Sequence, residues 1–286
     1  MDNVFPSQVT SVHLELTDKC QAACPMCPRN QYGGRDGDNV LNVEISLEQF
    51  KTWFTPIVLN QLTEIFVCGN LGDPIIASEC FEIFEYVKTT NPDCRLHIYT
   101  NGSLRTPAWW ARLARVLNDG DQLVFAIDGF ADTHAIYRRG TSWDKIIDNA
   151  KAFMAAGGIA RADVLVFRHN EHQINELTEF LLGLGFYTVN ARTTERFYGL
   201  DNFPVQNKLG EHEYYLNPPV TSRWAENNNI NYVTLVDKSN YQKILNSTTI
   251  DPQCWRGQSI YINAQGYLYP CSWVGSVIDN SKNFLY

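Results

Sequence analysis

The stretch Val12-His13-Leu14-Glu15-Leu16-Thr17-Asp18-Lys19-Cys20-Gln21-Ala22-Ala23-Cys24-Pro25-Met26-Cys27-Pro28-Arg29 decides how the rest of the chain is understood. Val12 to Thr17 is a strand-like run that leads directly into three thiols spaced CxxxCxxC. Pro25 and Pro28 each lack a backbone donor and discourage a regular helix, so the segment suits a loop that turns its thiols toward one centre. A structural zinc site takes four tetrahedral ligands, whereas a [4Fe–4S] cube held by three thiolates keeps one iron open. On the motif alone, half of a zinc site or bystander thiols in a surface loop are the alternatives.

The chain beyond this loop repeats a strand and helix rhythm. Gln31 to Asn42 is Gly-rich and charged, as in an exposed loop. Ser46 and Gln49 form a capping box for a helix with Leu47, Phe50, Phe54 and Ile57 on its apolar face. Glu64 to Cys68 is a short apolar run suited to a strand buried on both faces. A helix over about 78–88 carries Phe81, Phe84 and Val87 and stops before Asn91-Pro92. Arg95 to Thr100 is the third strand, and Thr106-Pro107 opens a helix that Gly120 ends. Gln122 to Ile127 is the fourth strand. The helix over 143–156 buries Ile146, Ile147, Ala150 and Phe153 and stops at Gly157-Gly158. Asp163 to Phe167 is the fifth strand, Ile174 to Leu184 a helix with Leu177, Phe180 and Leu181 inward, and Phe186 to Ala191 the sixth strand.

Strands alternating with helices in this way imply a parallel sheet joined by right-handed crossovers. Six units rather than eight predict a partial (β/α)6 barrel, with an open doubly wound sheet as the competitor. In either architecture ligands bind at the carboxyl ends of the strands. From Thr193 to Gln253 the rhythm is lost, and only short elements around 231–236 and 240–245 are expected in a connector that wraps the core. Ser259 to Asn263, a turn at Ala264-Gln265-Gly266, and Tyr267 to Cys271 then predict a β-hairpin, with Cys254 and Cys271 at its two ends.

Composition narrows the function classes. The 286 residues are 44% hydrophobic and 19% charged, as in an ordinary soluble globular protein. The formal charge of −8 leaves no basic footprint for a phosphate backbone, so nucleic acid is not expected as a partner. No run approaches the roughly 20 apolar residues of a membrane span. Met1-Asp2-Asn3-Val4-Phe5-Pro6 has neither a basic start nor an apolar stretch, which points to a cytoplasmic location. There a tight group among the eight cysteines points to metal rather than disulfides. Cys68, Cys80 and Cys94 lie in apolar segments and are expected to be buried free thiols.

Four further strand-end motifs accompany the cysteine loop. They are Gly69-Asn70-Leu71-Gly72-Asp73-Pro74, Thr100-Asn101-Gly102-Ser103, Ala126-Ile127-Asp128-Gly129 and Tyr137-Arg138-Arg139-Gly140. With the cysteine loop they resemble the radical S-adenosylmethionine (radical SAM) enzyme superfamily, whose loop is CxxxCxφC with an apolar φ, here Met26. The resemblance implies that Cys20, Cys24 and Cys27 hold a [4Fe–4S] cluster. It implies SAM contacts from Met26, Gly69, Asn70, Gly72, Asp73, Thr100, Asn101 and Asp128, with Arg139 pairing the SAM carboxylate. Asp73 stands where the family commonly has Glu, and Ala126 where it has Ser. Phe167, Arg168, His169 and Asn170 end the fifth strand, where adenine or substrate would approach, although His169 and His172 fit a surface location better. The chemistry implied is reductive cleavage of SAM, with the electron coming from reduced flavodoxin or ferredoxin. The resulting 5′-deoxyadenosyl radical takes a hydrogen atom from a substrate.

Cys254, Gly266 and Cys271 spell C-x11-G-x4-C, which resembles the opening of the auxiliary-cluster region called SPASM, or its shorter twitch form. That region implies an auxiliary iron–sulfur cluster and usually takes its other ligands from a later CxxC. No cysteine follows Cys271, so the expectation is a truncated region, with a site that is lost or completed by non-cysteine ligands as the alternative. The division expected is a core over 1–192, a connector over 193–253 and a partial auxiliary region over 254–286. Peptide or protein modification is the function favoured. Dehydrogenation or another transformation of a small molecule is the alternative, and a non-catalytic iron–sulfur or zinc module is the rival of another class.

Overall fold

The computed structural model describes residues 8–197, 200–225, 247 and 258–279. Six strands form the centre: β1 (Ser11–Leu14), β2 (Glu64–Val67), β3 (Arg95–Thr100), β4 (Gln122–Ala126), β5 (Ala160–Leu165) and β6 (Thr188–Arg192). They lie side by side in sequence order and are all parallel, with His13 opposite Phe66, Phe66 opposite His97, and His97 opposite Gln122. The connections hold helices α1 (Leu47–Trp53), α2 (Pro56–Gln61), α3 (Cys80–Thr90), α4 (Pro107–Ala114), α5 (His134–Tyr137), α6 (Trp143–Ala155) and α7 (Ile174–Leu184). Then come a hairpin of β7 (Phe203–Gln206) and β8 (His212–Leu216), the short α8 (Ser222–Ala225), strands β9 (Ser259–Ile262) and β10 (Leu268–Tyr269), and α9 (Ser272–Asp279). The sheet runs β10-β9-β1-β2-β3-β4-β5-β6 and is open at both edges, so the architecture is an α/β partial barrel.

The two-residue period of the strands divides the molecule. Val12, Leu14, Ile65, Val67, Leu96, Ile98, Leu123, Phe125, Ala162 and Val164 belong to the main core, with Phe50, Phe84, Trp110, Phe153 and Leu177 from the helices. Fully burying such a side chain stabilises by roughly 1.5–3 kcal/mol, which is why these faces fix the register. The alternate residues, among them Tyr99, Val124, Ala126, Asp163 and Leu165, line a cavity on the opposite face.

The boundaries correct the sequence expectations in several places. The Ser46–Gln49 capping box is present, but α1 stops at Trp53 and a second Thr55-Pro56 cap starts α2. That restart rotates Ile57 out to 68% exposure and buries Val58 and Leu59 in its stead. Helix α4 ends at Ala114, before Gly120, in a series of tight turns closed by Asp121, whose carboxylate accepts from Asn118 and Leu96 N–H. Strand β5 starts at Ala160, soon after Gly157 has ended α6 with a φ of 96°. It stops before Phe167, because the chain there turns onto Asn170, whose Oδ1 accepts from Phe167 N at 2.7 Å. Gly33, Gly34 and Gly37 are buried within the stretch expected to be exposed, since a Cβ on Gly34 would lie 2.4 Å from the Asn207 carbonyl oxygen.

The β7–β8 hairpin and α9 are not foreseen by the sequence pattern. The β9–β10 hairpin is, but its place is different: β9 pairs in parallel with β1, Ser11 opposite Ser259 and Leu14 opposite Ile262. It is a continuation of the main sheet. Cys254 and the short elements expected around 231–236 and 240–245 lie outside the described residues. Among the described residues no helix is long and apolar enough to cross a membrane.

Candidate active site

Cys20, Cys24 and Cys27 all border the cavity at the carboxyl ends of the strands, which has a volume of about 320 Å³. The loop that carries them is held from several sides. Ala23 N–H donates to the Arg139 carbonyl at 2.8 Å, and Asn30 Nδ2 donates to the Cys24 carbonyl at 3.3 Å. Arg29 donates to the Asp18 carbonyl and pairs with Asp36 at 2.9 Å. Beneath the loop, Ala22, Cys24 and Met26 join Tyr137, Phe167, Val205 and Leu216 in a second apolar cluster. The β7–β8 hairpin thus packs under the thiols. Burial pushes the Cys24 thiol up to about 11 in spite of the Arg138 charge, and raises Cys20 and Cys27 as well. Such thiols are protonated at neutral pH until a bound cation displaces the proton.

The loop after β2 contributes Gly69, Asn70, Gly72 and Asp73 to the lining, and Asp73 N–H donates to the Lys19 carbonyl at 2.9 Å. A Cβ on Gly72 would lie 1.8 Å from the Thr17 carbonyl oxygen, and one on Gly69 would lie 2.0 Å from the Gly72 carbonyl oxygen, so only glycine permits this approach. Glu15 braces the same loop: Leu71 N–H donates to Oε1 at 2.8 Å, and Tyr261 OH donates to Oε2 at 2.5 Å.

Asp73 is buried and lines the cavity, yet its carboxylate is turned to the protein. It accepts from Ile75 N at 3.0 Å, Thr100 Oγ1 at 2.9 Å, Asn101 N at 2.7 Å and Asn101 Nδ2 at 2.6 Å. Burial raises its carboxyl, against these donors, which favour the anion. Asn101 also accepts from Gln21 Nε2 at 2.7 Å and lies 3.8 Å from Cys20 Sγ through Nδ2. The Asp73–Thr100–Asn101 group therefore ties the glycine loop to the end of β3 and to the cysteine loop.

Three expected site residues stand elsewhere. Arg138, rather than Arg139, borders the cavity. Its Nε donates to Asp128 Oδ2 at 2.5 Å and its Nη1 lies 3.9 Å from Cys24 Sγ. Arg139 points away, donating to the Gln206 carbonyl at 2.7 Å and to Glu213 at 2.5 Å. Asp128 is fully buried and does not reach the cavity, because its second oxygen accepts from Leu165 N–H at 2.6 Å. It aims Arg138. The Met26 side chain is buried in the second apolar cluster beneath the loop. Phe167, Arg168, His169 and Asn170 also stay out of the cavity lining. His169 stacks on Phe167 with ring centroids 5.3 Å apart, and Asn170 donates to the Asp128 and Leu165 carbonyls.

The cavity includes residues that the sequence pattern did not single out. Cys68 faces it, whereas Cys80 and Cys94 are buried free thiols as expected. Asp163 and Arg192, 3.1 Å apart, and Thr194 and Arg196 also line it. Arg192 ends β6, and the strand-end rule would have found Thr193, Thr194 and Arg196, because they directly follow it. Their assignment to a connector concealed them. Cys271 is a half-buried free thiol, and the next residue, Ser272, accepts from Asn70 Nδ2 at 3.3 Å.

Residues 14–181 match the family model described as the Radical SAM superfamily. The chain belongs to the radical SAM superfamily. The solved structures similar to it include SuiB of Streptococcus suis bound to its precursor peptide SuiA, with a TM-score of 0.60 and 15% identity, covering 96% of this chain and 61% of that one. SuiB bound to S-adenosylmethionine matches with a TM-score of 0.55 and 15% identity, covering 94% of this chain and 59% of that one. Histidine-tagged anSMEcpe with bound AdoMet matches with a TM-score of 0.57 and 16% identity, covering 93% and 72%. At these identities the likeness is one of fold, and this radical SAM chain spans about 60% of the SuiB chains. No curated protein matches the sequence.

Membership in the radical SAM superfamily implies a [4Fe–4S] cluster and SAM, and the residues present fit them. Three free thiols border one cavity, beside a loop whose Gly69 and Gly72 pack too closely against backbone to carry a Cβ. Among the described residues no three His, Cys, Asp or Glu side chains form a group able to hold a single metal ion.

Proposed function

We propose that this radical SAM protein reductively cleaves SAM and uses the radical to remove a hydrogen atom from a peptide substrate. The observation that carries the reading is the cavity in which the cysteine loop, the glycine loop and Arg138 meet. Cys20, Cys24 and Cys27 would hold the cluster. When bound, the cluster and SAM together supply a carbon radical strong enough to break an unactivated C–H bond.

The chain's own groups have distinct parts. The backbone of Gly69 to Gly72 and the Asn101 side chain would receive the amino-acid end of SAM. Asp73 holds both in place and makes no direct contact. Arg138, aimed by Asp128, would bind the SAM carboxylate, the role expected of Arg139 from the motif. A guanidinium already fixed at Nε loses little freedom when it binds a carboxylate. The apolar cluster under the loop, with the β7–β8 hairpin, keeps water from the thiols.

Peptide modification is favoured because SuiB is seen with a precursor peptide and anSMEcpe with the Cp18Cys peptide. A reduced flavodoxin or ferredoxin would serve as electron donor, and Cys271 would contribute to an auxiliary cluster. The test is anaerobic reconstitution followed by reduction in the presence of SAM. Formation of 5′-deoxyadenosine supports radical chemistry, and its absence from a cluster-loaded, SAM-bound protein leaves only a binding module. Mass spectrometry of small peptides encoded beside the gene then tests the substrate class, and peptides that remain unmodified during SAM cleavage turn the reading toward a small molecule.

A further inference from the structure

The segment that follows β6 carries one guanidinium that the carboxylates of the cavity leave unpaired. Arg138 pairs with Asp128 at 2.5 Å and Arg192 with Asp163 at 3.1 Å. Arg196 borders the same cavity and has no carboxylate partner among the described residues. Its Nη1 donates to the Met26 carbonyl at 3.0 Å, between Cys24 and Cys27 in the chain.

Its position is fixed from both sides. Arg196 N–H donates to Thr194 Oγ1 at 3.2 Å, and Thr194 is buried. Phe197 is buried in the apolar cluster under the cysteine loop, with its ring 6.1 Å from Phe167. Arg196 is exposed, and its bond to a carbonyl leaves the charge without a fixed counter-ion among the described residues. In a chain of net charge −8, an unpaired cation held over a set of thiols runs against the overall balance.

We propose that Arg196 clamps the cysteine loop from outside the matched segment 14–181 and supplies a positive charge that makes the bound cluster easier to reduce. The inference rests on the cluster reading above. A cluster gains a negative charge when it takes up an electron, so a fixed cation nearby favours the reduced form. Local charge and hydrogen bonds are among the levers that set cluster potentials. Arg196 is thus a positioning and tuning residue, acting through the loop.

The test is a redox titration of the reconstituted protein followed by electron paramagnetic resonance, with iron content measured in parallel. Arg196→Gln keeps a donor for the Met26 carbonyl and removes the charge, whereas Arg196→Lys keeps the charge and removes the fork. Arg196→Gln is expected to load iron and to show a three- to tenfold lower reduced-to-oxidised ratio at a fixed poise, a tenfold change corresponding to ~59 mV. Arg196→Lys is expected to stay close to the wild type. An unchanged potential in Arg196→Gln overturns the charge role, and so does an equal loss of potential or iron in both variants. A wild-type protein that takes up no reducible cluster contradicts the cluster reading itself, and is seen before any variant is made.

Discussion

The two neighbouring loops that line the cavity after β1 and β2 are braced by groups of opposite charge. The loop after β1 is gripped by guanidinium groups: Arg29 at its end, Arg138 beside Cys24, and Arg196 on the Met26 carbonyl. The loop after β2 is gripped by carboxylates, with Glu15 on Leu71 N–H and Asp73 on the end of β3. The difference reflects the group each loop would hold. Thiolates bring negative charge that must be balanced, while a backbone wall of glycines needs acceptors that fix its amides in place. The ammonium and sulfonium charges of SAM suit the carboxylate side and its carboxylate suits the arginine side, so the polarity of the cavity would orient it.

Removing a thiol strikes the cationic side hardest. Cys24→Ala is expected to abolish stable iron loading and to lower 5′-deoxyadenosine formation by more than ~100-fold, beyond what loss of an outer-shell partner costs. Iron analysis after anaerobic reconstitution checks it, and full iron content would remove Cys24 from the ligand set.

The next effect separates the two adjacent arginines. Arg138→Met leaves Asp128 buried and unpaired, and loss of one partner of such a pair costs about 3–5 kcal/mol. SAM binding should weaken with it. Arg139→Met removes a more exposed pair, whose side chains are 23% and 37% exposed, and should cost about 1 kcal/mol or less with SAM affinity kept. Denaturant titration and SAM binding on both variants measure the contrast, and equal losses would dissolve it.

On the carboxylate side, Asp73→Ala strips several buried donors of their acceptor, each worth about 1–3 kcal/mol when left unsatisfied. Thermal stability and SAM affinity should fall together. A normal melting temperature with normal SAM binding would show that Asp73 braces nothing.

A pH-dependent effect tests the support of Arg138. Burial pulls the His134 imidazole down to about 3, while its Nδ1 accepts from Asp128 N–H at 3.1 Å. The unfolded chain binds this proton below a pH of about 6.5 and the folded protein only near 3, so the stabilisation is complete above about 6.5 and is lost as pH falls through that window. The slope from this group is at most about 1.4 kcal/mol per pH unit. His134→Gln should flatten the acid limb of stability against pH, and an unchanged limb would exclude the histidine as its cause.

The sequence showed the fold through its periodicity and caps, and the site through local motifs. Ser46–Gln49, Thr106-Pro107 and the Ile146–Phe153 stripe are short-range signals, and each is realised. The choice between Arg138 and Arg139 could not be made there. Side-chain direction depends on partners far away in the chain, Asp128 for one and Gln206 with Glu213 for the other. Arg196 was concealed differently: it stands just past β6, where the strand-end rule applies, but in the stretch taken as a connector, and its tie to Met26 spans 170 positions. The pairing of β9 with β1 is equally non-local, and no pattern within Ser259 to Ile262 announces its partner.

The most direct test is the electron paramagnetic resonance spectrum of the reduced, reconstituted protein with and without SAM. If the cysteine loop leaves one iron open toward the glycine loop, saturating SAM shifts the spectrum of the cluster. A spectrum that stays the same while SAM is shown to be bound would contradict the arrangement, placing SAM away from the three thiols.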